Sequence, residues 1–177
     1  NIIAASTGIT TVADFRRMDM AYGGQGAPLV PAFHQAIFSH PTTATVVLNI
    51  GGIANITVLR PAEPTLGYDT GPGNMLLNAW IADQQGLAYD DNGHWAAQGK
   101  LIPSLLEDML AESYFTLPAP KSTGRELFNL AWLQKKLQPD FKSVDVQHTL
   151  LHLTAKSIAD QIKRFPEVKQ VLVCGGG

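Results

Sequence analysis

Thr45-Val46-Val47-Leu48-Asn49-Ile50-Gly51-Gly52-Ile53-Ala54-Asn55-Ile56-Thr57-Val58-Leu59 is the stretch that decides the fold. Two apolar runs, Thr45 to Leu48 and Ile56 to Leu59, flank a Gly-Gly turn, a pattern that reads as strand, tight turn, strand. The turn lacks the Asn-Gly or Asp-Gly pair of a plain hairpin, and Asn49 and Asn55 flank it with uncharged hydrogen-bonding groups. A plain hairpin fits these residues. So does an anion-binding turn in which successive backbone N–H groups line a concavity.

Two further glycine stretches lie downstream. Asp69-Thr70-Gly71-Pro72-Gly73-Asn74 sets a lone carboxylate on a Gly/Pro turn ahead of a helical pattern from Met75 to about Gln85. A turn of this kind is expected at the lip of a cleft, with Asp69 beside the positive end of the helix. That end would keep the carboxylate ionised rather than raise its pKa, so an anionic ligand and a proton acceptor would meet there. The alternative is an Asx-turn or cap that merely holds the loop. The third stretch, Cys174-Gly175-Gly176-Gly177, follows the apolar run Val171 to Val173 and reads as a strand entering a ligand-approach turn. A start at Asn1 and a stop on this turn read as a segment of a longer protein, with structure expected on both sides.

Between these landmarks the elements alternate. Residues 1 to 27 are small, Gly-rich and irregular in pattern, and Pro28 to Phe38 mixes prolines with an apolar face. Met75, Leu76, Ala79 and Trp80 form one helical stripe that Gln85-Gly86 ends. Leu101 to Leu110 is a second amphipathic helix with Pro103 in its first turn. Thr123-Gly124-Arg125-Glu126 has capping-box spacing for a third through Phe128, Ala131 and Trp132. Asp145 caps a fourth, carrying Leu150, Leu153, Ile158 and Ile162, and a strand over 168 to 174 follows. The class is α/β: a mixed sheet with flanking helices and loops gathered at one sheet edge.

Composition narrows the function classes. A chain of 177 residues with 45% hydrophobic and 16% charged residues can bury one good core or two small lobes. The formal charge of −2, without a clustered Lys/Arg stripe, argues against nucleic acid as the partner. The single cysteine, Cys174, excludes an internal disulfide, fits a reducing, cytoplasmic setting, and reads as an inert residue of a buried strand. No apolar run approaches membrane-spanning length.

Other side chains carry two readings each. Arg17 could fork a carboxylate and Asp19 accept hydroxyls, or the two form a local ion pair. Gln25, in a glycine cluster, is an amide contact or a turn residue. Lys121, Ser122 and Arg125 could meet anionic groups at a helix start. His148 and His152, four apart with no acidic residue between them, read as a surface or packed pair rather than a zinc site, and no metal ligand set is assigned. Trp80 and Trp132 read as core, whereas Trp95, beside Asn92-Gly93-His94, is the tryptophan to watch.

Five motifs in order give a resemblance: Asp14 to Met20, Gly23 to His34, Leu48 to Thr57, Asp69 to Asn74 and Pro120 to Glu126. Together they resemble the bacterial anhydro-N-acetylmuramic acid kinases, over essentially the whole chain. The resemblance implies an actin-like ATPase (ribonuclease H-like) lobe of the sugar-kinase superfamily, an internal segment of a two-lobed kinase. Residues 1–45 would close the first lobe and the interlobe region, and residues 46–177 would form most of the second lobe. It implies a cytoplasmic enzyme of cell-wall recycling that takes ATP with Mg²⁺, water and anhydro-N-acetylmuramic acid to ADP and the C6-phosphorylated sugar. A homodimer is compatible with it.

By the same resemblance Asp69 is the catalytic base. Asn49, Gly51, Gly52, Gly175, Gly176 and Gly177 would face the nucleotide phosphates, and Arg17, Asp19, Gln25, Thr70 and Asn74 the sugar. Family members also begin with a Gly-Thr-Ser-type phosphate loop containing an Asp, and continue past the final glycines to complete the adenosine pocket. Neither part is in these residues, so the segment alone is expected to be inactive. The other readings are a non-catalytic sugar- or nucleotide-binding module of the same superfamily, and a structural or oligomerising domain.

Overall fold

The computed structural model describes residues Ile2 to Gly177. Asn1, the first residue of the segment assigned to 1–45, lies outside them. The decisive stretch forms two antiparallel strands, β1 (Thr45–Ile50) and β2 (Ile53–Leu59), on either side of the Gly51-Gly52 turn. Val46, Val47 and Leu48 are buried, as a strand covered on both faces requires. β3 (Leu66–Pro72) pairs antiparallel with β2, and β4 (Gln170–Gly175) runs parallel to β1 at the other edge. The sheet order is β3-β2-β1-β4, a four-stranded mixed sheet.

Seven α-helices accompany the sheet among the described residues. α1 (Ile2–Thr7), α2 (Phe15–Ala21) and α3 (Pro31–Phe38) precede it. α4 (Met75–Gln85), α5 (Pro103–Leu110), α6 (Leu130–Gln134) and α7 (Ser143–Ile162) lie between β3 and β4. Gly86, at φ 71°, ends α4 by returning its N–H to the Ala82 carbonyl, and Pro103 opens α5 where a missing N–H costs nothing. α3 is anchored to β2 by His34, whose Nδ1 lies 2.9 Å from the Thr57 hydroxyl.

Two apolar clusters hold the layers. Ile56, Val58 and Tyr68 of the sheet meet Ile158 of α7. On the outer side Leu76, Trp80, Met109, Phe115, Phe128, Leu150 and Leu153 fill the space between helices. Phe128 is fully buried, edge-on to Tyr114 and Trp132 with ring centroids 5.7 and 5.2 Å away. No helix among the described residues is long and apolar enough to cross a membrane.

Five local expectations are corrected. The Asp69 stretch is not a turn: Asp69 and Thr70 belong to β3, whose glycines are tolerated because the ladder to β2, with a bulge at Ala54/Asn55, supplies the order. The N-terminal stretch carries α1 and α2 rather than irregular chain. Thr123 does not cap α6; Asn129 does, accepting the Trp132 N–H at 2.9 Å. Asp145 lies inside the first turn of α7, after the N-cap residue Lys142, and accepts the Lys100 N–H instead. Cys174, assigned to a buried strand, is exposed on the edge strand β4.

Truncating the centre of the helical cluster tests this packing. Phe128→Ala in the whole protein is expected to lower the unfolding free energy by about 3–5 kcal/mol. Urea denaturation reads it as a lower midpoint at unchanged slope. A loss under about 1 kcal/mol would mean that the site-bearing loops do not depend on this cluster.

Candidate functional site

The glycine turn and the start of α4 are one structure. The Gly52 carbonyl accepts the N–H groups of Gly73 (2.9 Å) and Met75 (3.1 Å), and the Gly51 carbonyl accepts that of Asn74 (2.8 Å). A side chain at Gly73 would run into the Gly51 carbonyl, and one at Gly175 into the Ile50 carbonyl. These two glycines therefore serve the fold. Gly51 and Gly52 do not: a Cβ at Gly52 would meet only the Met75 Cβ, at 3.8 Å, and one at Gly51 would stay 3.6 Å from its nearest neighbour. Their open faces leave backbone free for the close approach of a ligand. Arg125 and Gly52 line one shallow cavity of about 490 Å³.

Asp69 is 5% exposed and lies across the ladder from Asn55. It is buried in β3 rather than set on a lip, because the segment from Tyr114 to Thr123 wraps it. The Tyr114 hydroxyl donates to the Asp69 carbonyl at 2.7 Å, and the Asp69 N–H donates to the Lys121 carbonyl at 3.0 Å. One carboxylate oxygen, Oδ2, accepts both the Ser122 hydroxyl (2.9 Å) and the Thr123 N–H (3.0 Å). Oδ1 accepts no hydrogen bond among the described residues. Burial pushes the carboxyl above its ordinary value of 3.8, and the Glu126 charge adds to the rise. Thr123, Ser122 and the Arg16 charge pull it back in part. The expectation that a helix end would leave this pKa unraised is thus corrected.

Other predicted residues scatter. Thr70 is fully buried and donates to the Ala54 carbonyl at 3.1 Å, holding β3 to β2. Arg17 is an exposed ion-pair partner of Asp14 at 3.5 Å, and Gln25 is exposed. Asp19 accepts the Gly26 N–H at 2.8 Å and fixes its own loop. It is the neighbouring Arg16, donating to the Gly26 carbonyl at 2.8 Å, whose charge reaches Asp69. Lys121, 4% exposed, faces inward: its ammonium donates to the Tyr114 carbonyl at 2.9 Å and lies 4.5 Å from the Tyr114 ring centre. Burial lowers its pKa to about 8. Trp95 packs half-buried against the helical cluster, and His148 and His152 meet at 3.1 Å between their Nε2 atoms.

A second cavity, of about 590 Å³, opens between α4 and α7 beside the final glycines. Asn74, Asn78 and Asn92 line it with Gly176, Gly177 and Tyr89, and no Lys or Arg is among its walls. Gln147 also lines it, 0% exposed, with neither amide atom hydrogen-bonded. A buried amide without partners marks a place where a polar group or water belongs. Sequence periodicity put position 147 on a helix and carried no sign of this, since Gln is an ordinary helix former.

Comparison with known proteins adds an independent line. The family model described as anhydro-N-acetylmuramic acid kinase matches residues 1–177. Proteins named anhydro-N-acetylmuramic acid kinase align with all of this chain. The one from Pasteurella multocida (strain Pm70) is 64% identical over 181 residues, covering 48% of that protein. The one from Actinobacillus pleuropneumoniae serotype 7 (strain AP76) is 58% identical, with 49% covered. The one from Haemophilus influenzae (strain ATCC 51907 / DSM 11121 / KW20 / Rd) is 53% identical over 191 residues, with 50% covered. The chain spans about half the length of the curated relatives it matches.

The burial of Asp69 has a measurable consequence. Its folded pKa lies above the unfolded one, so its contribution to stability is full below pH 3.8 and is lost as pH rises through the folded value. Asp69→Asn keeps an acceptor for Ser122 and Thr123 and removes the buried charge. The variant is expected to melt at or above the wild-type temperature at pH 7, the difference narrowing below about pH 4. A variant that melts several degrees lower at pH 7 would show that the ionised carboxylate holds the fold together.

Proposed function

Because the chain belongs to the anhydro-N-acetylmuramic acid kinase family, we propose that it forms the part of a cytoplasmic, actin-like two-lobed kinase that carries the catalytic base. In this reading residues 1–45 end the first lobe and the interlobe region, and residues 46–177 make up most of the second. Exposed apolar side chains on α2 and α3, among them Phe15, Met18 and Phe33, support a further lobe against that face. The whole enzyme opens the anhydro ring of 1,6-anhydro-N-acetylmuramic acid and phosphorylates its C6 oxygen in cell-wall recycling.

The observation that carries the reading is Asp69 itself: a buried carboxylate, one oxygen held and the other open, three residues before the end of β3, after which Gly73, Asn74 and Met75 hydrogen-bond the glycine turn. Asp69 takes a proton from water, and the water oxygen bonds to the anomeric carbon. The bond from that carbon to the bridging oxygen breaks, and the freed C6 oxygen takes the γ-phosphoryl group as ADP leaves. Burial raises the pKa of this base above that of an ordinary carboxylate, which makes it the better proton acceptor once ionised.

The open faces of Gly51 and Gly52, with Arg125 beside them, suit the ATP phosphates. Gly177 donates to the Ile50 carbonyl at 3.0 Å, so the final glycines adjoin the same turn. The uncharged cavity of Asn74, Asn78 and Gln147 next to them suits the nucleoside end. Among the described residues no group of three or more His, Cys, Asp or Glu could hold a metal. Mg²⁺ arriving with ATP would neutralise phosphate charge.

Two variants of the whole enzyme test these assignments. Asp69→Asn is expected to cut turnover by about two orders of magnitude or more with Michaelis constants nearly unchanged, since only transition-state stabilisation is lost. Normal turnover would remove Asp69 from the mechanism. Gly52→Val, which the fold has room for, is expected to raise the Michaelis constant for ATP about tenfold or more, or about 1.4 kcal/mol, and to leave that for the sugar nearly unchanged. An unchanged constant for ATP would return the turn to a plain hairpin.

A further inference from the structure

We propose that Ser122 is a positioning residue: its hydroxyl, together with the Thr123 N–H, occupies Oδ2 of Asp69 and so reserves Oδ1 as the atom that takes the proton. The inference rests on Asp69 being the base, and it concerns how that base is aimed.

The backbone of Asp69 is held on both sides, by the Lys121 carbonyl at its N–H and the Tyr114 hydroxyl at its carbonyl. What remains free is rotation of the carboxylate plane, a broad, two-fold torsion that by itself would exchange the two oxygens. Two donors on one oxygen break that symmetry. Asn55, opposite Asp69 on β2, has a buried Oδ1 without a partner, and the hydroxyl oxygen of Thr123 is likewise buried and unpartnered. Both are polar atoms around Asp69 that the fold leaves for a water molecule or a sugar hydroxyl.

The hydroxyl also stabilises the ionised base. A donor to a carboxylate favours its charged form, opposing the burial that raises Asp69. The charged groups that bear on Asp69 are Arg16 of α2, which favours ionisation, and Glu126, which opposes it. Tyr114, on the wrapping segment, has its own pKa raised, first by burial and then by the Asp69 charge, so its phenol stays protonated there. Replacing Ser122 leaves all three in place.

The pH dependence of turnover in the whole enzyme reads the effect. Ser122→Ala is expected to move the acid limb of the turnover profile up by about one unit, so that turnover on that limb falls about tenfold. The Michaelis constant for the sugar should hardly change, and Ser122→Thr, which keeps the hydroxyl, should restore the wild-type limb. A Ser122 with only a structural role predicts a lower melting temperature and an unshifted limb, and that result overturns the proposal. Should the alanine variant fold poorly, Ser122→Cys keeps the volume with a weaker donor and should shift the limb the same way by less. An unshifted limb there overturns the proposal equally. Asp69→Asn run alongside separates the two levels. Full turnover in that variant overturns the base assignment, whereas an inactive Asp69→Asn with an unshifted Ser122→Ala overturns the Ser122 role alone.

Discussion

Two carbonyls, those of Gly51 and Gly52, organise the site by accepting the backbone N–H groups of Gly73, Asn74 and Met75. The β1–β2 turn is thereby joined to the end of β3 and the start of α4. The donors at the head of α4 are directed at the turn. Turn and helix start are thus one hydrogen-bonded unit rather than a hairpin beside an isolated helix end. The same tie explains why glycine occurs at Gly73, where the Gly51 carbonyl leaves no room for a side chain, and it leaves Gly51 and Gly52 facing outward.

Around this unit the protein keeps two ionisable groups in expensive places. Asp69 is buried with its charge opposed by desolvation, and Lys121 is buried with its pKa lowered to about 8. Neither has an ion-pair partner in the structure among the described residues. Each is satisfied by dipoles: Ser122 and Thr123 for the carboxylate, and the Tyr114 and Phe115 carbonyls with the Tyr114 ring for the ammonium. These dipoles stabilise the Asp69 charge and, with Arg16, offset part of the rise that burial causes. The segment from Tyr114 to Thr123 connects the two groups. Its Lys121 clamps the Tyr114 turn, and Tyr114 in turn clamps the backbone of Asp69.

The outer helical cluster supports that segment. Tyr114 and Phe115 enter it beside Phe128, so the loop that wraps Asp69 is anchored in the core by aromatic side chains. Functional groups on loops need rigid supports, and here the support is apolar packing one residue away from the polar contacts.

The sequence by itself determined the elements whose signals are local. The apolar runs around Gly51-Gly52 specify β1 and β2, Gly86 stops α4, Pro103 opens α5, and the stripe of Leu150, Leu153 and Ile158 faces the core, because periodicity and glycine or proline sterics act within a few residues. Local rules drew attention to Asp69 but read it as a turn residue, and the family resemblance, not spacing, assigned it the role of base. Only the tertiary structure decided that Asp69 belongs to a strand, that it is buried, and that Arg16 rather than Arg17 bears on it. The partners that set these properties lie far away along the chain: Ser122 is 53 positions from Asp69, and Tyr114 is 45. Burial and hydrogen bonding depend on which distant segments arrive at a residue, and no spacing pattern around Asp69 encodes that arrival.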